Sequence, residues 1–291
     1  PDAAARVAAL LAKEGDGVIE LGALAPGEAK SLEGRPGITV AADPTTQSLF
    51  LAFGTNRPPF DNVELRRAVA LAVDRKAIVD KLVLGYGVPG KSLLSPFARQ
   101  WLSPKGEPTY DSTRARALAR SVLGNTRVSA GLIYRSGGDQ AAPRKEIAEL
   151  LQSVLAELGI DVQVIPLESA AERDRIASGD WNLRITQQAW ANGDPDFVMT
   201  NFLASKGSFN AANKGGYSNA EVDALVAAGK AERDPQKRFA IYERLQEIAV
   251  RDVPMTPLYH EYGVYAYRDT VTGLRQRITY QPTLDEIRFN K

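Results

Sequence analysis

Apolar and polar positions along this chain alternate between two periods. "AAARVAALLAKEG" places Val7, Leu10 and Leu11 on one face at helical spacing, with Asp2 positioned to cap it. Strand-like runs follow: "GVIEL", "GITVAA", "SLFLAFG", "AGLIYR", "IDVQVIPL" and "WNLRITQQAW". Helical patterns lie between many of them. "NVELRRAVALAVDRKAIVDKLVLG" predicts a helix with a break at Asp74, and "STRARALARSVLG" predicts one capped by Asp111 and stopped at Gly124. In "APRKEIAELLQSVLAELG", Ile147, Leu150, Leu151, Val154, Leu155 and Leu158 form a continuous stripe. "SNAEVDALVAAG" opens with Ser218 and Glu221 at capping-box spacing. "DPQKRFAIYERLQEIAV" sets Asp234 at the cap and Pro235 at the first helical position. The last strand candidate, "PLYHEYGVYAYR", is rich in tyrosine. Strands alternating with helices predict α/β architecture.

Composition narrows the function classes. The 291 residues suffice for one large domain or two modest ones. With 36 basic and 35 acidic residues, no basic surplus points to nucleic acid as a partner. No apolar run approaches the roughly 18 residues needed to span a bilayer. Cysteine is absent, which removes disulfides, thiolate metal sites and cysteine catalysis. The chain starts at Pro1 without a signal peptide, as expected of a processed or truncated piece of something longer.

One motif invites a nucleotide-binding reading. "GYGVPGKS", residues 85–92, fits the P-loop pattern letter for letter. A P-loop needs a strand before it and a helix after it. Here Lys76 to Leu84 are helical in pattern, and Pro96 interrupts the helix that the motif requires. A glycine- and proline-containing loop after a helix explains these residues better, and the nucleotide-hydrolase alternative is weak. His260 is the only histidine, so any Ser-His-Asp triad has to use it. It alternates with Tyr262 and Val264 as a strand residue would, and no nucleophile motif accompanies it. No catalytic residue, metal site or cofactor is therefore expected.

Two polar stretches carry binding chemistry. In "WANGDP", residues 190–195, Asn192-Gly193 is a turn dipeptide, and Asp194-Pro195 is a cap followed by a first helical residue. Turn and cap chemistry leave Trp190 unexplained. The loop "SFNAANKGGY", residues 208–217, offers Asn210, Asn213 and Tyr217 as amide and phenol groups suited to hydroxyls or peptide amides. The same residue types are ordinary in turns.

Several segments, in order, resemble the bacterial extracellular solute-binding proteins of family 5. The most specific is "NRPPFDNVELRRAVALAVDRKAIVDKLVLGYGVPGKSLLSP", residues 56–96. "YDSTRARALARSVLG", "IAELLQSVLAELGIDVQVIPLE", "GGYSNAEVDALVAAG" and "RFAIYERLQEIAVRDVPMTPLYHEYGVYAY" extend the likeness through nearly the whole chain. The resemblance implies a periplasmic binding protein-like fold of type II, with two lobes that close over a ligand, and this chain as the C-terminal portion. Residues 1–46 then end the first lobe, 47–264 form the second, and 265–291 return to the first; "LFLAFGTN" and "LYHEYGVYAY" are the crossing strands. The implied function is solute capture for an ABC importer in the periplasm or at the cell surface. The ligand is a peptide or peptide-like molecule, with a metal chelate, opine or oligosaccharide as alternatives. Permease subunits and the remaining N-terminal part of the protein are the implied partners. Trp190 is expected to pack against ligand, with Gln187, Asn192, Asp194, Asn210, Asn213, Tyr217 and Tyr134 as further candidates. Two departures separate this chain from common members. Ala191 stands where peptide binders often carry an aspartate, and Gly207 and Ser208 stand near where some nickel-complex binders carry a histidine.

Overall fold

Among the described residues, seven strands assemble into one mixed sheet, and the C-terminal residues add two small two-stranded sheets. The computed structural model describes residues 3–15, 17–18, 24–137, 142–189, 193–278, 282–283 and 285–290. The strands are β1 (Gly17–Val18), β2 (Ile38–Phe53), β3 (Gly87–Pro89), β4 (Val128–Arg135), β5 (Ile160–Leu167), β6 (Leu183–Gln188) and β7 (Met255–Arg268). Their order is β1-β7-β2-β6-β4-β5, with β3 also pairing with β7. β4 runs parallel to β5 and β6, whereas β2 is antiparallel to β6 and β7. The carboxyl ends of the three parallel strands therefore share one edge of the sheet, next to the middle of β2 and β7.

Alternation along β2 divides the core. Leu49, Leu51 and Phe53 pack on one face with Leu65, Val69 and Ile78, and with Ile147, Leu151 and Leu155. The intervening Phe50 joins Met199, Phe202, Val222, Tyr242 and Leu245 on the other. Helices thus cover both faces, as a sheet buried on two sides requires.

Most predicted helices form within a residue or two of their expected limits. Val63–Ala72 and Arg75–Lys81 are separate helices, because Asn62 and Asp74 each accept backbone N–H groups as caps. Asp111 and Asp234 cap Ser112–Leu123 and Pro235–Asp252 in the same way. Ser218 does not cap the helix Ala220–Ala231; Asn219 does, accepting from Glu221 and Val222. The expected cap Asp2 and most of "GVIEL" lie outside the described residues.

"GITVAA" and "SLFLAFG" are not two strands but parts of the continuous β2. Pro44 does not end the strand, because the pairing with β7 shifts register between Pro44 and Ser48, where the ladder needs fewer donors. Before that shift, Ile38–Pro44 pair with Arg268–Tyr262 as a ribbon; beyond it, Ser48–Phe53 also pair with β6.

Candidate functional site

At the carboxyl ends of the parallel strands, a chain of polar side chains crosses from helix to sheet. Arg144 opens the helix Arg144–Ala156, and its Nη2 donates to Gln187 Oε1 at 2.5 Å. Gln187, near the end of β6, donates from Nε2 to Glu261 Oε2 on β7 at 2.6 Å. Glu261 is buried, and among the described residues its Oε1 has no hydrogen-bond partner. Burial pushes the Glu261 carboxyl above the usual carboxylate range, against the opposing pull of Arg144, Gln187 and Tyr259. Burial also lowers the pKa of Arg144, against the field of Glu261. A buried charge pair joined by one amide is costly unless each group is satisfied, which makes this chain a candidate site. In open α/β sheets, this edge is where ligands bind.

His260 lies beside this chain with a different role. Its Nδ1 is 2.6 Å from Ser48 Oγ, and the backbone N–H of Lys91 donates to its Nε2 at 3.4 Å. An accepting Nε2 assigns the proton to Nδ1, which donates to Ser48. Burial lowers the His260 pKa to about 3, so the ring is neutral and too weak a base to activate the buried Ser48. The sole histidine is a strand residue with a hydrogen-bond partner, as its alternation predicts.

The sequence-predicted candidates do not converge. Gln187 sits at the carboxyl edge. Trp190 and Asn192 lie outside the described residues. Asp194 caps the helix that begins at Pro195 and receives Arg238 through two contacts of 2.8 Å. Burial raises its pKa, but Arg238 and the Asp196 N–H outweigh that and hold it below the carboxylate range. Tyr134 is buried in the hydrophobic core, where burial raises its pKa, so its ring fills the sheet rather than lining a cleft.

Asn210, Asn213 and Tyr217 stand at the opposite edge. They border a cavity of about 30 Å³ together with Phe53 and Trp181. Phe53 pairs with Leu183 at the start of β6, four residues before Gln187, or ~13 Å along the strand. Asn210 Nδ2 donates to the carbonyls of Ala204 and Tyr217 at 3.0 and 2.7 Å. The Asn213 carbonyl accepts from Trp181 Nε1 at 2.9 Å, and the Tyr217 hydroxyl donates to Asp252 Oδ2 at 2.8 Å. Trp181 belongs to the core, one turn before β6 begins, which is why the loop docks there. The structure therefore sets this loop beside the start of β6, apart from Gln187 near its end.

Reading the sequence missed Arg144 and Glu261. Glu261 had a visible signal, an acid within the apolar and aromatic pattern of "LYHEYGVYAY". It also missed the roles of Arg66 and Arg75. Arg66 donates to the carbonyls of Phe60, Asp252 and Val253, closing the end of the helix Pro235–Asp252. Arg75 donates to the Pro257 carbonyl at 2.7 Å and to Thr256 Oγ1 at 2.6 Å.

The P-loop pattern is dismantled by its surroundings. The helix Arg75–Lys81 precedes it, and its Gly87–Pro89 segment is a strand paired with β7. A Cβ on Gly87 would lie 2.6 Å from the His260 carbonyl oxygen, and one on Gly90 would lie 2.8 Å from Pro257. The glycines serve backbone-to-backbone approach, not phosphate.

The family model described as "Bacterial extracellular solute-binding proteins, family 5 Middle" matches residues 1–210. A dipeptide-binding protein of Pseudomonas aeruginosa is 29% identical over 254 residues, 86% of this chain and 47% of that protein. Heme-binding protein A of Haemophilus influenzae is 28% identical over 228 residues, 78% of this chain and 42% of that protein. The chain spans about half the length of these curated relatives. Among solved structures, a dipeptide-binding protein from Pseudoalteromonas in complex with Met-Leu superposes with a TM-score of 0.84 at 25% identity, over 100% of this chain and 57% of the other.

Proposed function

The chain belongs to the bacterial extracellular solute-binding proteins of family 5, and on that premise we propose that it forms one wall of a cleft that captures a peptide or peptide-like solute for an ABC importer in the periplasm. The observation that carries this reading is the Arg144–Gln187–Glu261 chain at the carboxyl edge of the sheet. It places a cation, an amide and an acid within one reach, the three functions that a short zwitterionic peptide would engage. The similarity to dipeptide-binding relatives supports the same ligand class.

The two-stranded ribbon supports the domain division at about residue 46. Its register shift between Pro44 and Ser48 falls there, and the Thr45 hydroxyl donates to the Glu261 carbonyl at 2.8 Å. Residues 1–46 and 265–291 then belong to one lobe and 47–264 to the other, with the rest of the protein completing the first. A hinge at this shift would carry lobe closure to Glu261 directly. Trp190, two residues beyond β6 in the sequence, is the aromatic residue this reading assigns to ligand contact. The reading is binding without catalysis, followed by delivery to permease subunits.

Native mass spectrometry of solute carried through purification of the full-length protein tests the ligand class, followed by titration calorimetry with the peptide found. Saturable peptide binding that Trp190→Ala weakens is the expected result. A co-purified metal chelate, opine or oligosaccharide, with peptides inert, would replace the peptide reading.

A further inference from the structure

Apart from the Arg144–Gln187–Glu261 chain, none of whose residues lines it, the structure holds a cavity of about 570 Å³. The helices Val63–Ala72, Ser112–Leu123 and Pro235–Asp252 enclose it together with the start of β7. Pro257 at its floor is four residues before Glu261, ~13 Å along β7. The volume lies in the range of pockets that bury a drug-sized molecule.

The walls are fastened rather than loosely apposed. Lys105 pairs with Glu247 at 3.2 Å, Ser103 Oγ donates to Glu243 at 3.0 Å, and the Asp111 N–H donates to the Leu71 carbonyl at 2.9 Å. These contacts flank the segment carrying Pro108 and Thr109, which lines the cavity.

The interior is apolar, with Leu71, Leu93, Leu118, Val250, Met255 and Pro257 among its lining side chains. Its few polar groups are already used. Ser92 Oγ donates to Gln246 Oε1 at 3.0 Å, Gln246 Nε2 donates to the Trp101 carbonyl at 2.8 Å, and Thr256 accepts from Arg75. Such a space offers water little, and an alkyl chain much.

The rim carries the opposite character. Arg67, Arg114 and Arg251 border the cavity with one acid, Glu64. Arg67 is paired with Glu64, and Arg251 with Asp252 and Glu221. Arg114 makes no ion pair among the described residues. A half-open apolar cavity beside a guanidinium that makes no ion pair among the described residues is complementary to an amphiphile with a single anionic head.

We propose that this cavity binds a medium-chain fatty acid or a monocarboxylate of similar shape, with its chain between the three helices and its carboxylate on Arg114. This site is separate from the solute cleft and does not rest on the peptide reading.

Decanoate and decanol, titrated into the full-length protein by calorimetry, test it. Decanoate should bind at one site. Arg114→Gln should weaken decanoate roughly tenfold or more and leave decanol nearly unchanged, because only the carboxylate loses a charge-assisted hydrogen bond. Ala117→Trp fills the cavity from an exposed helix position and should abolish binding of both, with the circular-dichroism melt showing that the fold survives. A saturating peptide ligand of the cleft should not displace decanoate. No decanoate binding, or binding that both variants leave intact, overturns the proposal. Self-association of the protein that Ala117→Trp breaks, with decanoate inert, would make the cavity an interface between copies and overturn it equally.

Discussion

The two edges of the sheet are equally polar and built for different ends. At the edge where β6 begins, Tyr217 and Asn219 converge on Asp252, Asn210 takes two carbonyls and Arg66 several more, and the fastening continues up β7 with Arg75 on Pro257 and Thr256. The polar side chains there close loops onto helix ends. At the edge where β6 ends, Arg144, Gln187 and Glu261 form a series in which one buried oxygen has no partner among the described residues. Buried polar groups that are fully matched fasten a fold, whereas a mismatched charge costs stability and persists where function requires it.

Breaking the fastened edge should have the largest effect. Arg75→Ala removes a guanidinium whose pKa burial lowers to about 10 and leaves the Pro257 and Ala70 carbonyls without a donor. A loss of about 3–5 kcal/mol is expected, the range for removing one member of a buried charged network. Urea denaturation at neutral pH reads it. An effect below about 1 kcal/mol would show that the edge is not fastened as argued.

Acid should expose the strand that links the edges. His260 has a folded pKa of about 3, below its ordinary 6.5, so the unfolded chain takes up this proton first as pH falls. Its contribution to stability is therefore full above pH 6.5 and declines between 6.5 and about 3, by about 1.4 kcal/mol per pH unit. The neighbouring Glu261 works in the other direction, because its raised pKa costs stability as pH climbs past the unfolded value. His260→Asn should flatten the acid limb, seen as a smaller shift of the urea midpoint between pH 7 and pH 4.5. An unaltered slope would locate the acid sensitivity elsewhere.

The open edge should respond in affinity before stability. Gln187→Leu cuts the link between Arg144 and Glu261, and should weaken solute binding by the full-length protein about tenfold, equivalent to about 1.4 kcal/mol. Calorimetry with the purified solute decides; unchanged affinity would make this edge a second fastening.

Tyr217→Phe is the smallest and matching control. It deletes the hydroxyl that donates to Asp252 and should cost about 0.5–1.5 kcal/mol of stability, with no change in affinity. Reduced affinity in this variant would restore the loop 208–217 to the binding site and erase the contrast between the edges.

Short-range features of the molecule were legible in the sequence. Asp74, Asp111 and Asp234 cap helices because a cap needs only a side-chain oxygen and the next two or three N–H groups. Asp194 and Pro195 start a helix for the same reason. The break at Asp74, the strand Ile160–Leu167 and the α/β order follow from periodicity and punctuation within a few residues. The false P-loop was also legible as false, because its flanks already carried the wrong period.

The sequence by itself determined the helices, most of their caps, the α/β alternation and the family likeness. Only the tertiary structure decided which polar residues meet. Gln187 joins Arg144 across 43 positions and Glu261 across 74, separations at which no spacing rule operates. The order β7-β2-β6-β4 brings those residues to one edge and sends Asn210, Asn213 and Tyr217 to the other. Composition treats an asparagine on a carbonyl and an asparagine facing a ligand alike. The difference lies in desolvation and partner geometry, which exist only once the strands have taken their places.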